Sequence, residues 1–528
     1  EVEQDALFAS RMLALADALA AKDMGAALSA ANDVSAFVAG DSSLSAAAAG
    51  KSPAEVAEAL RPEAVRVHAR LAPALEQMRA EMFAGAGGAA LKGAAHNGKH
   101  GETKRVVILG GGPCGVTVLH QLQHMNAGFH VTVIDTKDFY EDTPNVVRLM
   151  CNPDCEDLWA LSAFRFADLL RGEGEHIVGT AAAVRRDHVL VGTTAGVASR
   201  VVPFDYLVIS TGTSYTSDIK TEGATIAHRK QAFEIERRRM AASSCFTVVG
   251  SGVVGTELAH DIKSFFPDKP VNVVTRSDVG FLPRVPGAHE IIGKHAEEAG
   301  LGLTKGKVIK KTNEDGQVVT MDGEVIGEKG ARTYFATGYT PNTSYLKDPR
   351  TDPAITSLLD GGGFVGVRRS QQLKGDGLEH IFAGGDLCSV DAHSHGERTA
   401  NMACLHAGAI VQNILLLAGR REGKLKQVLL NENPGLNILA VSLGKDNGLL
   451  YSCEPNMAAF FGSAEALKAE VGEMGPAGTA GKAGWKELSP AVNFIKFSSF
   501  PEGFKKMLFD DDMAVWGQFF APLVQDMP

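Results

Sequence analysis

The chain has 528 residues, 45% of them hydrophobic and 22% charged. These are ordinary globular values that exclude a disordered, collagen-like or disulfide-scaffold protein, and at roughly 150 residues per domain they suggest about three domains. With 52 Lys+Arg against 62 Asp+Glu the formal charge is -10, so there is no global electrostatic case for nucleic acid, and any phosphate is bound locally.

The seven cysteines are odd in number and too sparse for a disulfide framework, which favours a reducing compartment. No run reaches the roughly 18 consecutive apolar residues of a spanning helix. The nearest, Ala407 to Gly419, is broken by Gln412 and Asn413. The first residue is Glu1, which sets the expectation of a processed or truncated chain with any targeting peptide out of view. An organelle (mitochondrion or plastid) and the cytoplasm both fit, and attachment to a membrane surface stays open.

Residues 1–83 are rich in Ala, Leu, Glu and Arg, with Ala64, Val67, Leu71, Leu75 and Met78 at helical spacing. They are expected to form an N-terminal helical region that docks or packs, since no convergent polar cluster stands in it. Residues 84–103 (through AGAGGAALKGAAHNGKHGE) read as a flexible linker. From Lys104 short β-branched runs alternate with helical stretches, a pattern that predicts α/β architecture with parallel sheets. The expected division is one nucleotide-binding domain in two parts, 104–225 and 346–424, with a second domain, 226–345, inserted between them. Residues 425–528 read as a C-terminal α+β domain with an aromatic tail (Phe494, Phe497, Phe500, Phe504, Phe509, Trp516, Phe519, Phe520).

Gly110-Gly111-Gly112-Pro113-Cys114-Gly115 follows the strand VVIL and opens a helix. Its glycines permit a tight turn, close approach of a pyrophosphate and close helix packing, while the helix N-terminus offers N–H groups to the phosphates. The next strand ends in Asp135 about 20 residues on, where a carboxylate accepts from ribose hydroxyls. Gly250-Ser251-Gly252-Val253-Val254-Gly255 repeats the arrangement after FTVV, as an internal duplication would, so two dinucleotides are implied. At the end of its second strand stand Thr275 and Arg276 with no acid. A carboxylate there would repel a 2′-phosphate and Arg276 could pair with one, so NADPH is expected to be accepted at least as well as NADH. Strands ending in Thr211-Gly212 and Thr337-Gly338 look like crossings between paired nucleotide domains. The strand ending in Gly384-Gly385-Asp386 offers a carboxylate to a ribityl hydroxyl, which points to a flavoprotein.

With these motifs the chain resembles the two-dinucleotide-binding-domain flavoproteins of the pyridine nucleotide-disulfide oxidoreductase superfamily, over about residues 104 to 450. Within it the likeness is to the apoptosis-inducing-factor-like group that includes ferroptosis suppressor protein, with type II NAD(P)H dehydrogenases more distant. VVILGGGPCG, VTVIDTKDFYE, FDYLVISTGT, VVGSGVVGTELAHDI, IFAGGDL, MACLHAGAIVQNI and SLGKDNG carry it. The resemblance implies FAD in the first site, NADPH or NADH in the second, and quinone reduction as the typical chemistry. It also implies two near-flavin residues, here Glu257 and Arg398. The latter stands where the subgroup has Lys; Arg cannot give up a proton at ordinary pH and would instead stabilise negative charge on reduced flavin.

Two other readings stand beside the quinone-type oxidoreductase. One is a flavoprotein serving as a structural or sensing subunit of a larger assembly, docked through residues 1–83 and the tail. The other is thiol–disulfide reduction through Cys151 and Cys155, which lie near where disulfide reductases of the superfamily carry a redox pair but are one residue closer together; two ordinary packing cysteines are the simpler reading. Asp386, Cys388, Asp391, His393 and His395 fit no zinc spacing, so no metal is expected. His406 would line a quinone pocket or merely pack.

Overall fold

The computed structural model describes residues 103–125, 128–170, 174–192, 198–215, 219, 224–283, 288–389, 398–428 and 439–453, with short pieces at 483–485, 505, 508 and 524–527. The expected N-terminal helical region, nearly all of the linker and most of the aromatic tail lie outside the described residues.

The first unit contains β1 (Lys104–Leu109), α1 (Pro113–His124), β2 (Phe129–Asp135), β3 (Glu175–Val178) and β4 (Tyr206–Ile209). Helix α2 (Ile226–Ala242) leads to the second, built from β5 (Cys245–Val249), α3 (Val253–Phe265), β6 (Val271–Val274), α4 (Ala288–Glu298), β7 (Leu301–Thr304) and β8 (Ala331–Phe335). The chain then returns to the first unit with β9 (Ile381–Ala383) and α5 (Ala400–Leu417) and continues into a hairpin, β10 (Leu439–Ser442) and β11 (Gly448–Cys453).

The first sheet runs β9-β4-β1-β2-β3, all parallel. The second runs β7-β6-β5-β8, also parallel. Val106 to Leu109 and Cys245 to Val249 are at most 3% exposed; strands covered on both faces read as unbroken apolar runs, which is why the sequence showed no alternation there. Each unit also carries a three-stranded antiparallel meander before its last Thr-Gly strand, at 180–203 in the first and 309–326 in the second. The duplication suggested by the glycine motifs therefore extends through the topology. In both sheets the order reverses beside the strand that precedes the glycine turn, and that reversal opens the crevice where ligands of such sheets bind.

Helix α5 packs on α1, where Thr117 Oγ1 lies 3.6 Å from Cys404 Sγ. Over its 18 residues α5 is long and apolar enough to cross a bilayer, which run counting did not anticipate, but 72% of that window is buried inside the molecule. Met402 to Val411 are core residues beneath the first sheet, which accounts for the apolarity. The hairpin β10–β11 docks on α3. Ser442 N donates to Glu257 Oε1 at 3.0 Å. The buried pair Arg148–Asp261, 2.9 Å apart, holds the hairpin turn, because Arg148 also donates to Gly444 O at 2.8 Å.

Candidate dinucleotide and electron-transfer site

At the first turn Gly110 has φ +91°, a Cβ on it would stand 2.4 Å from Ser210 O, and a Cβ on Gly115 would stand 2.0 Å from Gly110 O. Only glycine fits either position. Gly112 is different: it caps α1 with φ -71° and ψ -170°, and a Cβ there meets nothing within 4 Å. Pro113 takes the first helical position and the first turn of α1 holds no acidic residue. Open space over a helix N-terminus free of acid fits a pyrophosphate. Asp135 accepts from Gly111 N at 2.7 Å and from Lys137 N at 2.9 Å, one bond per oxygen. Each oxygen keeps acceptor capacity for a ribose hydroxyl.

The second turn matches it. Gly250 has φ +111° with a Cβ position 2.3 Å from Ala336 O, a Cβ on Gly255 would stand 2.0 Å from Gly250 O, and Gly252 again faces open space. Val253 starts α3, whose first turn is likewise without acid. Where the first site has Gly111, Asp135 and Lys137, the same sequence offset places Ser251, Thr275 and Ser277. Ser251 Oγ donates to Thr275 Oγ1 at 2.8 Å, and Thr275 Oγ1 accepts from Ser277 N at 3.1 Å. A hydroxyl thus does the carboxylate's bracing without its charge. Arg276, beside it, is exposed.

The two Thr-Gly crossings pair antiparallel, Thr213 with Pro341 and Ser214 with Thr340. Thr211 Oγ1 donates to Asn342 O at 2.7 Å, so its hydroxyl ties the crossings together. Gly212 (φ +62°) and Gly338 (φ +126°) both face open space. Asp386 accepts from Thr213 Oγ1 at 3.3 Å. Arg398 donates to the carbonyls of Asp386 and Cys388 at 2.8 and 3.0 Å and to Tyr339 Oη at 2.8 Å. Its guanidinium lies 4.3 Å from the Phe364 ring centroid and 5.1 Å from that of Tyr339. Tyr215 meets Tyr339 edge-on at 6.4 Å. Burial first, then the charges of Asp386, Tyr339 and Glu257, push the Tyr215 phenol well up. Residues from both units therefore converge around these rings.

Tyr215, Tyr339 and Phe364 were not singled out from sequence. The signal available was position, since Tyr339 follows the second Thr-Gly directly and Tyr215 lies just past the first. Glu257, 3% exposed, gives one oxygen to Ser442 N and so serves hairpin docking.

The cysteines read otherwise. Cys151 and Cys155 are buried in the core shared by α2 and α3, with no disulfide between them. Burial raises both thiols, Cys151 furthest. Such thiols are poor nucleophiles, and nothing in this geometry favours electron transfer to a dithiol. Cys114 is 3% exposed and packs under Gly384 as a small apolar residue, its thiol also raised by burial. His406 is fully buried and accepts from Gly385 N at 3.0 Å. Asp391, His393 and His395 lie outside the described residues.

Among known proteins, the family model for pyridine nucleotide-disulphide oxidoreductases matches residues 104–407. Apoptosis-inducing factor 1 of Saccharomyces cerevisiae is 23% identical over 307 residues, 55% of this chain and 76% of that protein. Human ferroptosis suppressor protein 1 is 24% identical over 358 residues, 65% of this chain and 87% of that protein. The solved sulfide:quinone oxidoreductase of Aquifex aeolicus shares the fold at TM-score 0.57 and 16% identity, over 78% of this chain and 93% of that one. FAD and NAD(P)H are the family's cofactors, and both glycine turns retain the open cradle they need. The chain belongs to the pyridine nucleotide-disulphide oxidoreductase family.

Proposed function

We propose that this oxidoreductase takes electrons from NAD(P)H, with NADPH accepted at least as well as NADH, and passes them through FAD to a quinone-like acceptor. The observation that carries the reading is the pair of matched glycine turns, one braced by Asp135 and the other by Thr275, set against the two Thr-Gly crossings that lead on to Tyr215 and Tyr339. FAD held at the first turn would supply the hydride and electron chemistry that links the nucleotide to the acceptor.

The chain's own residues do the rest. Gly110, Gly112, Pro113, Cys114, Gly115 and Asp135 hold the FAD pyrophosphate and ribose, with Thr211, Gly212 and Asp386 along the ribityl side. Gly250, Gly252, Val253, Gly255 and Gly338 hold the nicotinamide dinucleotide, and Arg276 pairs with a 2′-phosphate. Arg398 is fixed by three donated bonds, so its charge is held in place and cannot shuttle a proton. Glu257 steadies α3 against the hairpin at the same locality. Tyr215, Tyr339 and Phe364 give a flat acceptor an aromatic wall. The quinone preference is supported by the sulfide:quinone oxidoreductase fold and by the buried, raised thiols, which disfavour a disulfide acceptor.

Steady-state oxidation of NADPH by the FAD-loaded protein, run with a soluble quinone, a small disulfide and oxygen in turn, tests this. Turnover with quinone well above the other two supports the reading; turnover with the disulfide alone overturns it.

A further inference from the structure

We infer that His406 is a positioning residue for the turn Gly384 to Leu387, and that through this turn it sets how tightly FAD is held and at what potential it is reduced. The inference rests on the reading of the first glycine turn as the FAD site. It starts from a backbone problem. Gly384 N donates to Ile209 O of β4 at 3.0 Å, while Ala383 N, on the opposite side of the strand, donates to Gln371 O at 2.9 Å; the N–H of Gly385 follows on that outer side, where no backbone carbonyl among the described residues accepts it. His406 Nδ1 accepts it at 3.0 Å. The imidazole comes from α5, one helix away in space and 21 residues on.

An imidazole nitrogen accepts only when it carries no proton, so this bond fixes a neutral ring with its hydrogen on Nε2. His406 is 0% exposed, so water cannot replace the acceptor if it is removed.

What the bond holds is a left-handed and crowded turn. Gly385 has φ +80°, and a Cβ on Gly384 would stand 2.6 Å from Cys114 Sγ and 2.9 Å from Ile410 Cδ1. The same turn is gripped from its far side by Arg398, which donates to the carbonyls of Asp386 and Cys388. Between the two grips, none of the hydrogen bonds among the described residues uses the N–H of Asp386 or Leu387. A turn pinned at both ends, with two N–H groups that no bond among the described residues uses and a carboxylate that keeps acceptor capacity beyond its bond from Thr213 Oγ1, is preorganised for the oxygen-rich middle of a flavin dinucleotide.

The test uses the full chain stripped of flavin and reconstituted with FAD, comparing wild type, His406→Leu and His406→Asn. Asn places Oδ1 the same number of bonds from Cα as Nδ1 and restores an acceptor; Leu does not. Three quantities are read: the FAD dissociation constant by fluorescence quenching, the two-electron potential of the bound flavin, and the thermal midpoint of the apo protein. Leu is expected to weaken FAD binding roughly tenfold to a hundredfold, the cost of one buried N–H without an acceptor, and to shift the potential. Asn is expected to stay within about threefold of wild type. A Leu variant with wild-type affinity and potential, even if its apo form melts earlier, overturns the inference, as does failure of Asn to recover either. If wild type itself binds no FAD, the reading of the first site falls as a whole.

Discussion

The substitution Gly252→Val separates the demands of the ligand from those of the fold. Gly250 and Gly255 are glycines because backbone atoms stand 2.3 and 2.0 Å from where a Cβ would sit; replacing either distorts the turn whether or not anything binds. Gly252 has φ -70° and ψ -174°, extended backbone that valine adopts readily, and nothing within 4 Å of its Cβ position. The apo fold should lose at most about 1 kcal/mol through the poorer helix cap, a shift within about 4 °C in thermal midpoint. A dinucleotide should lose far more. A branched side chain pushes the pyrophosphate off the N-terminus of α3, and forfeiting two charge-assisted backbone bonds at about 1.5–3 kcal/mol each gives roughly a 10²- to 10⁴-fold rise in dissociation constant. Anaerobic stopped-flow reduction at rising NADPH reads this as the half-saturating concentration, with the visible flavin spectrum as an internal control because Gly112 is untouched. An unchanged half-saturation would refute the assignment of the second turn, and loss of flavin alongside it would show that the two turns are not independent.

Arg276→Ala should raise the half-saturating NADPH concentration about tenfold while leaving that for NADH within about twofold, since only the 2′-phosphate meets the guanidinium; equal effects on both would remove Arg276 from recognition. Cys151→Ala with Cys155→Ala should retain near wild-type turnover with quinone, with a modest fall in stability measured by urea unfolding, because both thiols are core residues; loss of turnover in a folded variant would restore the dithiol. Stability should also depend on pH through His260. Burial lowers its pKa from 6.5 to about 4, with the stacked His295 adding to the shift and the Thr256 carbonyl opposing it. Between those values the unfolded chain binds the proton and the folded one does not, so stability is full above about pH 6.5 and falls by about 3 kcal/mol as pH drops to about 4. Urea midpoints of wild type and His260→Gln across that range check it: the variant should lose this part of the slope, and an identical slope would exclude His260.

Much of this was legible in the sequence, because the recognition it encodes is local. The glycine turns, the strands before them and the acid or hydroxyl that ends the next strand lie within one βαβ unit, and the matching offset from Gly110 to Gly250 makes the duplication visible in the sequence itself. What was not legible depends on distant chain segments meeting. Nothing near Arg398 in sequence announces that Tyr339 and Phe364 will both lie against it, and nothing near Glu257 announces Ser442. The apolar run of α5 is ambiguous in sequence because a helix buried beneath a sheet and a helix in lipid need the same residues. The Cys151–Cys155 spacing mimicked a redox pair until packing showed both thiols in the core. The partner of His406 was hidden most deeply, being a backbone N–H on the outer side of β9 that no backbone carbonyl among the described residues accepts.

The central claim is electron flow from NAD(P)H through flavin to a quinone-like acceptor, and one anaerobic experiment addresses it. The FAD-loaded protein is titrated with NADPH, then separately with NADH, while the visible flavin band is followed, and a soluble quinone is added last. The account predicts bleaching by NADPH at least as readily as by NADH, and prompt recovery of the band on addition of quinone. A bound flavin that neither nucleotide bleaches, or a bleached flavin that quinone leaves unchanged, would contradict it.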